Sequence, residues 1–187
     1  MSSQNPWLFQ SERLGWRWWR ADDLPLALAL WGDGRVMQHL HVNGVLTPDE
    51  VRARLDLEIS LQREHGYQYW PMFERSTGKH VGCAGVRPKD LAHGRLETGF
   101  HLRPEFWRLG LASEAAARVV RHAFEEIEVH ELFAGHHPAL VASRRILTRL
   151  GFRYDRDELY PATQAMHPTY LLRPERWRRQ QEERDAG

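Results

Sequence analysis

Between Arg95 and Glu114 the chain reads RLETGFHLRPEFWRLGLASE: a strand-like run, a Pro-marked turn, and a Gly-containing loop that opens into a helix. That order suits anion chemistry. The first N–H groups of a helix have no intrahelical partner and lie at the positive end of its dipole, so the junction forms a cradle for phosphate. Gly110 lets backbone approach a ligand closely, and Ala112 keeps the first turn uncluttered. A tight turn with no ligand is the other reading of the same residues. Upstream, Glu97, Gly99 and His101 alternate evenly, which puts the carboxylate and the imidazole on one strand face beside the cradle. Either group can accept a proton, although half-exposed strands also carry polar residues for solubility alone.

Other chemistries fit less well. Cys83 is the single cysteine, which excludes an internal disulfide, and its apolar setting VGCAGV reads as a buried thiol rather than a nucleophile. The 11 His residues do not spell a metal site: His136 and His137 point to opposite faces if they share a strand, and His39 and His41 have no third ligand nearby. GxSxG, P-loop and GxGxxG patterns are absent, which weakens covalent hydrolase, NTPase and dinucleotide-binding readings. With 26 basic and 25 acidic residues the net charge is +1, so no global field favours nucleic acid or an anionic membrane. The apolar run LPLALALW is too short to span a bilayer and follows Asp22 and Asp23, and no signal peptide is visible. Cytoplasmic residence is the default expectation.

The elements that must position these residues follow from periodicity and turn chemistry. At 187 residues the chain suits a single domain, with a core from about 12 to 172 and a charged tail over 173–187 that is a frayed helix, a partner contact or a solvated end. RLGWRWWR at Arg13–Arg20 reads as an extended run, followed by a helix over Ala21–Gly32 with Asp22 or Asp23 as its cap. Thr47 and Glu50 form a capping box and Pro48 takes the first position of a second helix that Gly66 ends. Strands are expected at Tyr67–Glu74, Lys79–Arg87 and Leu96–Leu102, the first two joined by a short Ser76–Gly78 turn. Ala112, Ala116, Val119, Val120, Ala123, Phe124 and Ile127 recur at helical spacing. A strand at Glu131–His136, a helix from about Leu140 to Leu150, and two late strands near Phe152–Leu159 and Thr169–Leu172 complete a βααβββαβαββ order. This is an α/β (α+β) pattern mixing antiparallel hairpins with one parallel βαβ crossover.

With that order in place, ERLGWRWWRADDL, TPDEV, STGKHVGCAGV, LETGFHLRPEFWRLGLASEA, HAFEEIEVHEL and HPALVASRRILTRLGF together resemble the GNAT acetyltransferase superfamily, most closely its ribosomal-protein N-acetyltransferase (RimJ/RimL-like) branch. The resemblance spans roughly Glu12 to Leu172 and implies a mixed central sheet of about seven strands flanked by helices. The acyl-CoA signature of that family falls on Trp107–Ala112, where Gly110 and Ala112 match and Trp107 replaces a polar residue. The cradle thereby becomes the expected seat of the CoA pyrophosphate. The implied cofactor contacts are Leu102, Arg103, Trp107, Arg108, Leu109, Gly110, Leu111, Ala112, Ser113, Leu140, Ser143 and Arg144. Two further positions depart from the branch: Leu140 stands where an Asn contacts pantetheine, and Leu147 where many relatives carry a Tyr general acid. Ser143 remains as the hydroxyl near the thiol, or as a helix cap or buried hydroxyl.

The resemblance implies an acetyl-CoA-dependent N-acetyltransferase working by direct attack in a ternary complex. An amine attacks only when neutral, so a base must take its proton. Glu97 is the first candidate, His101 the second, with Glu105 in reserve. Trp31, Asp33, His39, His41, Tyr67 and Trp70 are expected to line the acceptor side, with core packing as the other account of Trp31 and Trp70. The eight Trp include the RLGWRWWR group, read as covering a sheet edge or a homodimer surface. The acceptor is a protein N-terminal amine or a small-molecule amine. The competing reading, given Trp107, Leu140 and Leu147, is an acyl-CoA-binding regulatory module with little catalysis.

Overall fold

A computed structural model describes residues 6–186. Two short strands open the chain, β1 (Phe9–Gln10) and β2 (Leu14–Trp16), followed by a 3-10 turn at Ala21–Asp23 and the helices α1 (Leu24–Trp31), α2 (Gly34–Met37) and α3 (Pro48–His65). Strands β3 (Tyr69–Glu74), β4 (His80–Asp90) and β5 (Arg95–Leu102) precede α4 (Leu111–Glu125), β6 (Glu131–Gly135) and α5 (Val141–Leu150). The hairpin β7 (Arg153–Tyr160) and β8 (Ala165–Leu172) and the helix α6 (Pro174–Asp185) close it. The capping box reads as expected: Thr47 Oγ1 accepts from Glu50 N–H and Glu50 accepts from Thr47 N–H, while Gly66 ends α3 at φ 79°.

The strands form one eight-stranded sheet in the order β1-β2-β3-β4-β5-β6-β8-β7. Seven strands were expected; the extra one arises because Phe9–Gln10 folds back onto Leu14–Trp16 as a hairpin. All neighbours are antiparallel except β5 and β6, whose parallel ladder covers only Arg95–Glu97 against Glu131–Phe133. Both strands run on past it, β5 to Leu102 and β6 to Gly135. The sheet is therefore unzipped at its centre, on the side where β5 feeds α4 and β6 feeds α5.

Helices cover both faces. One core joins β1–β6 to α4, α5 and α6 around Trp16, Trp70, Val119 and Leu132, and a second joins α1–α3 to Trp19, Tyr69 and Cys83. The aromatic opening run is thus interior rather than a covering of an edge or a dimer surface: Trp16 and Trp19 are buried, one in each core, and half-buried Trp18 packs near Trp70. Removing a Trp side chain from water is worth about 4–6 kcal/mol for a burial of roughly 150–250 Å², which outweighs any edge role. The charged tail is likewise a docked helix. Trp177 of α6 is buried against Phe124, Arg176 donates to the Gly151 carbonyl, and Arg173 pairs with Glu131. No helix among the described residues is long and apolar enough to cross a membrane.

Candidate active site

The unzipped centre of the sheet holds two cavities that share a wall. The larger, about 630 Å³, lies over the start of α4 and is lined by Trp107, Arg108, Gly110–Ser113 and the first turns of α5. The smaller, about 250 Å³, lies on the α3 side and is lined by β4, β5 and β6 residues and by the β7–β8 hairpin. Leu40, Phe100, His101, Leu140 and Ser143 line both. Ligands seated in the two cavities would meet at these residues.

The larger cavity has the chemistry of an anion site. Gly110 is the N-cap of α4 at φ 79°, a left-handed conformation that favours glycine, and no side chain caps the helix. A Cβ at Gly110 would meet nothing nearer than Arg13, at 3.5 Å, so it is the backbone angle and not a protein neighbour that asks for glycine. Leu111, Ala112 and Ser113 make up the uncapped first turn, whose amides have no intrahelical acceptor, and all three residues line the cavity. Arg35, Arg108, Arg145 and Arg149 line it with no carboxylate among the lining residues. A polyanionic nucleotide tail fits this set. Trp107 keeps the loop closed, its indole N–H donating to the Leu102 carbonyl at 2.8 Å. Arg103, Leu109 and Arg144 are not brought to the cavity: Arg103 pairs with Glu105 and donates to His80, and the Leu109 carbonyl accepts from Arg13. Arg35, Arg145 and Arg149 were not anticipated, because scattered arginines on a helix face look like solvated charge until the fold gathers them.

On the shared wall, Ser143 is the third residue of α5, whose cap is Leu140, so a capping role is ruled out by position. Its backbone N–H donates to the Leu140 carbonyl, and its half-buried hydroxyl has no hydrogen-bond partner among the described residues. Leu147 is buried at the smaller cavity, where it offers no proton. His101 Nδ1 accepts from Trp31 Nε1 at 3.2 Å, which puts the ring proton on Nε2. Burial, then Arg54 and Arg87, hold His101 well below the usual histidine range. The imidazole is therefore neutral and presents a donor, with its one lone pair already engaged.

Glu97 lines the smaller cavity. Burial pushes its carboxyl up, and Arg87, Lys89 and Arg54 recover only part of the shift. Arg87 stands directly opposite Glu97 in the β4–β5 register, yet pairs with fully buried Glu58 instead. Lys89 pairs with Glu158 at 3.1 Å. Tyr69 reaches over β4 to β5, its hydroxyl 2.5 Å from where a Cβ on Gly99 would be, and burial holds this phenol well above its usual range.

The expected acceptor residues separate. His39 lines the cofactor-side cavity and stacks on His137 at 4.7 Å. Trp31 is fully buried behind the wall, Asp33 caps α2 and pairs with Arg35, and the His41 Nδ1 accepts from the Asn43 N–H. Tyr67 and Trp70 belong to the core opposite the cavity, Trp70 edge-on to Phe9 and His122. Along β3 the residue turned to the cavity is Tyr69, which strand alternation sets apart from its neighbour Trp70. Arg54 of α3 and Tyr160 of the hairpin also line the cavity and were not anticipated. Cys83 is buried as expected, its thiol pushed up to about 12. Among the described residues no cluster of His, Cys, Asp or Glu is arranged to hold a metal.

Comparison with known proteins agrees with this geometry. The family model described as an acetyltransferase (GNAT) domain matches residues 13–153. The chain is 31% identical over 165 residues to the FsC-acetyl coenzyme A-N(2)-transacetylase of Aspergillus fumigatus, covering 80% of this chain and 68% of that one. Its fold is similar to that of a GNAT-family acetyltransferase from Bacillus anthracis, with a TM-score of 0.75 at 22% identity over 89% of this chain and 98% of the other. It is similar also to RimL, a ribosomal L7/L12 alpha-N-protein acetyltransferase solved with coenzyme A, with a TM-score of 0.73 at 16% identity over 87% and 95% of the two chains. The chain therefore belongs to the GNAT acetyltransferase family, acyltransferases that use acetyl-CoA for N-acetylation.

Proposed function

We propose that this enzyme acetylates a small primary amine by direct attack in a ternary complex, with Glu97 as the general base and Ser143 as the hydroxyl beside the leaving sulfur. The observation that carries the reading is the pair of cavities meeting at Phe100, His101, Leu140 and Ser143. When bound, acetyl-CoA supplies an activated acetyl carbonyl. Arg35, Arg108, Arg145 and Arg149, with the amides of Leu111–Ser113, would hold its anionic portion and leave the pantetheine arm to run toward the shared wall.

An amine entering from the α3 side reaches Glu97, whose half-buried carboxyl, held above the ordinary range, is suited to taking a proton nearer neutrality. The Ser143 Oγ–H is free to donate toward the departing sulfur. His101 contributes an Nε2–H and a fixed wall rather than a base. Direct transfer is favoured because the one cysteine is buried and its thiol stays protonated, which leaves no thiolate to accept the acyl group.

The size of the acceptor cavity favours a small amine over a protein N-terminus: at about 250 Å³ it lies below the roughly 300–1,000 Å³ of pockets that take drug-sized ligands. Release of free CoA with a panel of small amines and a panel of N-terminal peptides tests the reading. CoA release with small amines and not with peptides is expected. Turnover of peptides alone would overturn the small-amine assignment, and a Glu97→Gln variant with wild-type turnover at neutral pH would overturn the base.

A further inference from the structure

Five charged side chains line the acceptor cavity, and three of them are already paired: Arg87 with buried Glu58 outside the lining, and Lys89 with Glu158. That leaves Arg54 and Glu97. Both line the cavity, and neither has a hydrogen bond or ion pair among the described residues. The Arg54 Nε is buried with no partner at all.

Arg54 is half-buried as a residue, but an unpaired guanidinium whose Nε is cut off from water is costly, and chains rarely keep one without a use for it. Arg54 is also held in place. Its guanidinium lies 4.6 Å over the Trp31 ring, Trp31 packs on Trp19, and the Trp31 indole N–H donates to His101. A cation fixed by stacking on a buried aromatic in the wall of a cavity is prepared for a planar anion such as a carboxylate. Glu97 stands in the same cavity as the complementary site for a cationic group.

We infer that the acceptor is zwitterionic, an amino-carboxylic acid whose carboxylate docks on Arg54 while its amine is delivered to Glu97. The inference rests on the small-amine reading above and narrows it to a substrate class. A zwitterion satisfies both unpaired side chains at once and adds no net charge to a cavity whose other ions are already paired. An amine without the carboxylate leaves Arg54 desolvated and empty-handed, and so should be rejected.

The experiment compares amino acids with the matched amines that lack the carboxylate, on wild type, Arg54→Gln and Arg54→Lys. CoA release is followed by a thiol reagent, and binding of the same compounds to the CoA-loaded protein is followed by calorimetry. The expected result is a preference for the acid of at least about 100-fold in kcat/KM, erased in Arg54→Gln and partly kept in Arg54→Lys. Equal use of acid and amine by wild type would overturn the inference, as would an Arg54→Gln variant that keeps the preference or loses acid and amine in equal proportion. If CoA is released with no small amine, the small-amine reading fails. Calorimetry then still decides this one: Arg54-dependent binding of the acid supports it, and no binding overturns it.

Discussion

Replacing Glu97 by Gln keeps the side chain's shape and removes its ability to take a proton. A positioned general base contributes about 10²- to 10⁴-fold, or about 3–5 kcal/mol at 1.36 kcal/mol per decade, so kcat/KM should fall by that amount near neutral pH. The pH profile carries more information. A base works deprotonated, so wild-type activity should fall as pH drops through the Glu97 pKa. Burial places that limb above the ordinary carboxylate range despite Arg87, Lys89 and Arg54. In Glu97→Gln the limb should vanish and the rate should follow the fraction of amine already neutral. For an α-amine with pKa about 8, that fraction grows roughly tenfold per pH unit well below the pKa and levels off near it, so the deficit should narrow about fivefold between pH 7 and 8. For a lysine-like amine with pKa about 10.4, the narrowing continues through pH 9 and beyond. Steady-state CoA release from about pH 5.5 to 9.5 measures both limbs. Parallel wild-type and variant profiles across that range would show that the proton leaves by another route and that Glu97 is an ordinary strand carboxylate.

Gly110→Glu should fold, since nothing lies nearer than 3.5 Å to its Cβ, but a non-glycine there costs about 1–2 kcal/mol of backbone strain and puts negative charge at the uncapped start of α4. Its CoA dissociation constant by calorimetry should rise at least about tenfold, and an unchanged value in the folded variant would remove the anion-cradle assignment. Ser143→Ala should lower kcat about tenfold, the worth of one transition-state hydrogen bond of about 1.4 kcal/mol, while leaving the melting temperature alone because the hydroxyl has no partner among the described residues. His80 is buried, and burial and then Arg103 push its pKa from 6.5 down to about 4, with the Gly82 backbone offsetting only part. The unfolded chain thus binds a proton that the folded one refuses between those values, so stability present above pH 6.5 is lost as pH falls toward 4, by about 2 kcal/mol at pH 5. Urea titrations at pH 7.5 and 5 should show His80→Leu losing about that much less than wild type; equal losses would mean that His80 finds a proton-accepting partner.

The parts of the site visible in the sequence are those in which function and local structure use the same residues. The αL glycine that starts α4 and the alternation of Glu97, Gly99 and His101 are local facts, and they point to the cofactor loop and the strand beside it. What stayed hidden depends on register and on distance along the chain. Trp70 was a plausible wall for an acceptor, but β3 turns Tyr69 to the cavity and Trp70 to the opposite core, a choice fixed by its pairing with Ala84 and not by composition. Arg54 sits on an amphipathic helix among Arg52, Asp56 and Glu58, where a cation looks like solvated surface. Only when α3 packs on the β4–β5 face does Arg54 come over Trp31 and Glu58 become the buried partner of Arg87. That second event matters most for specificity: by taking Arg87, Glu58 leaves Glu97 without the cross-strand cation that its register would otherwise supply. A carboxylate paired with a facing arginine would be a weak base held down in acid. Unpaired and desolvated, it is available both to receive an ammonium group and to deprotonate it.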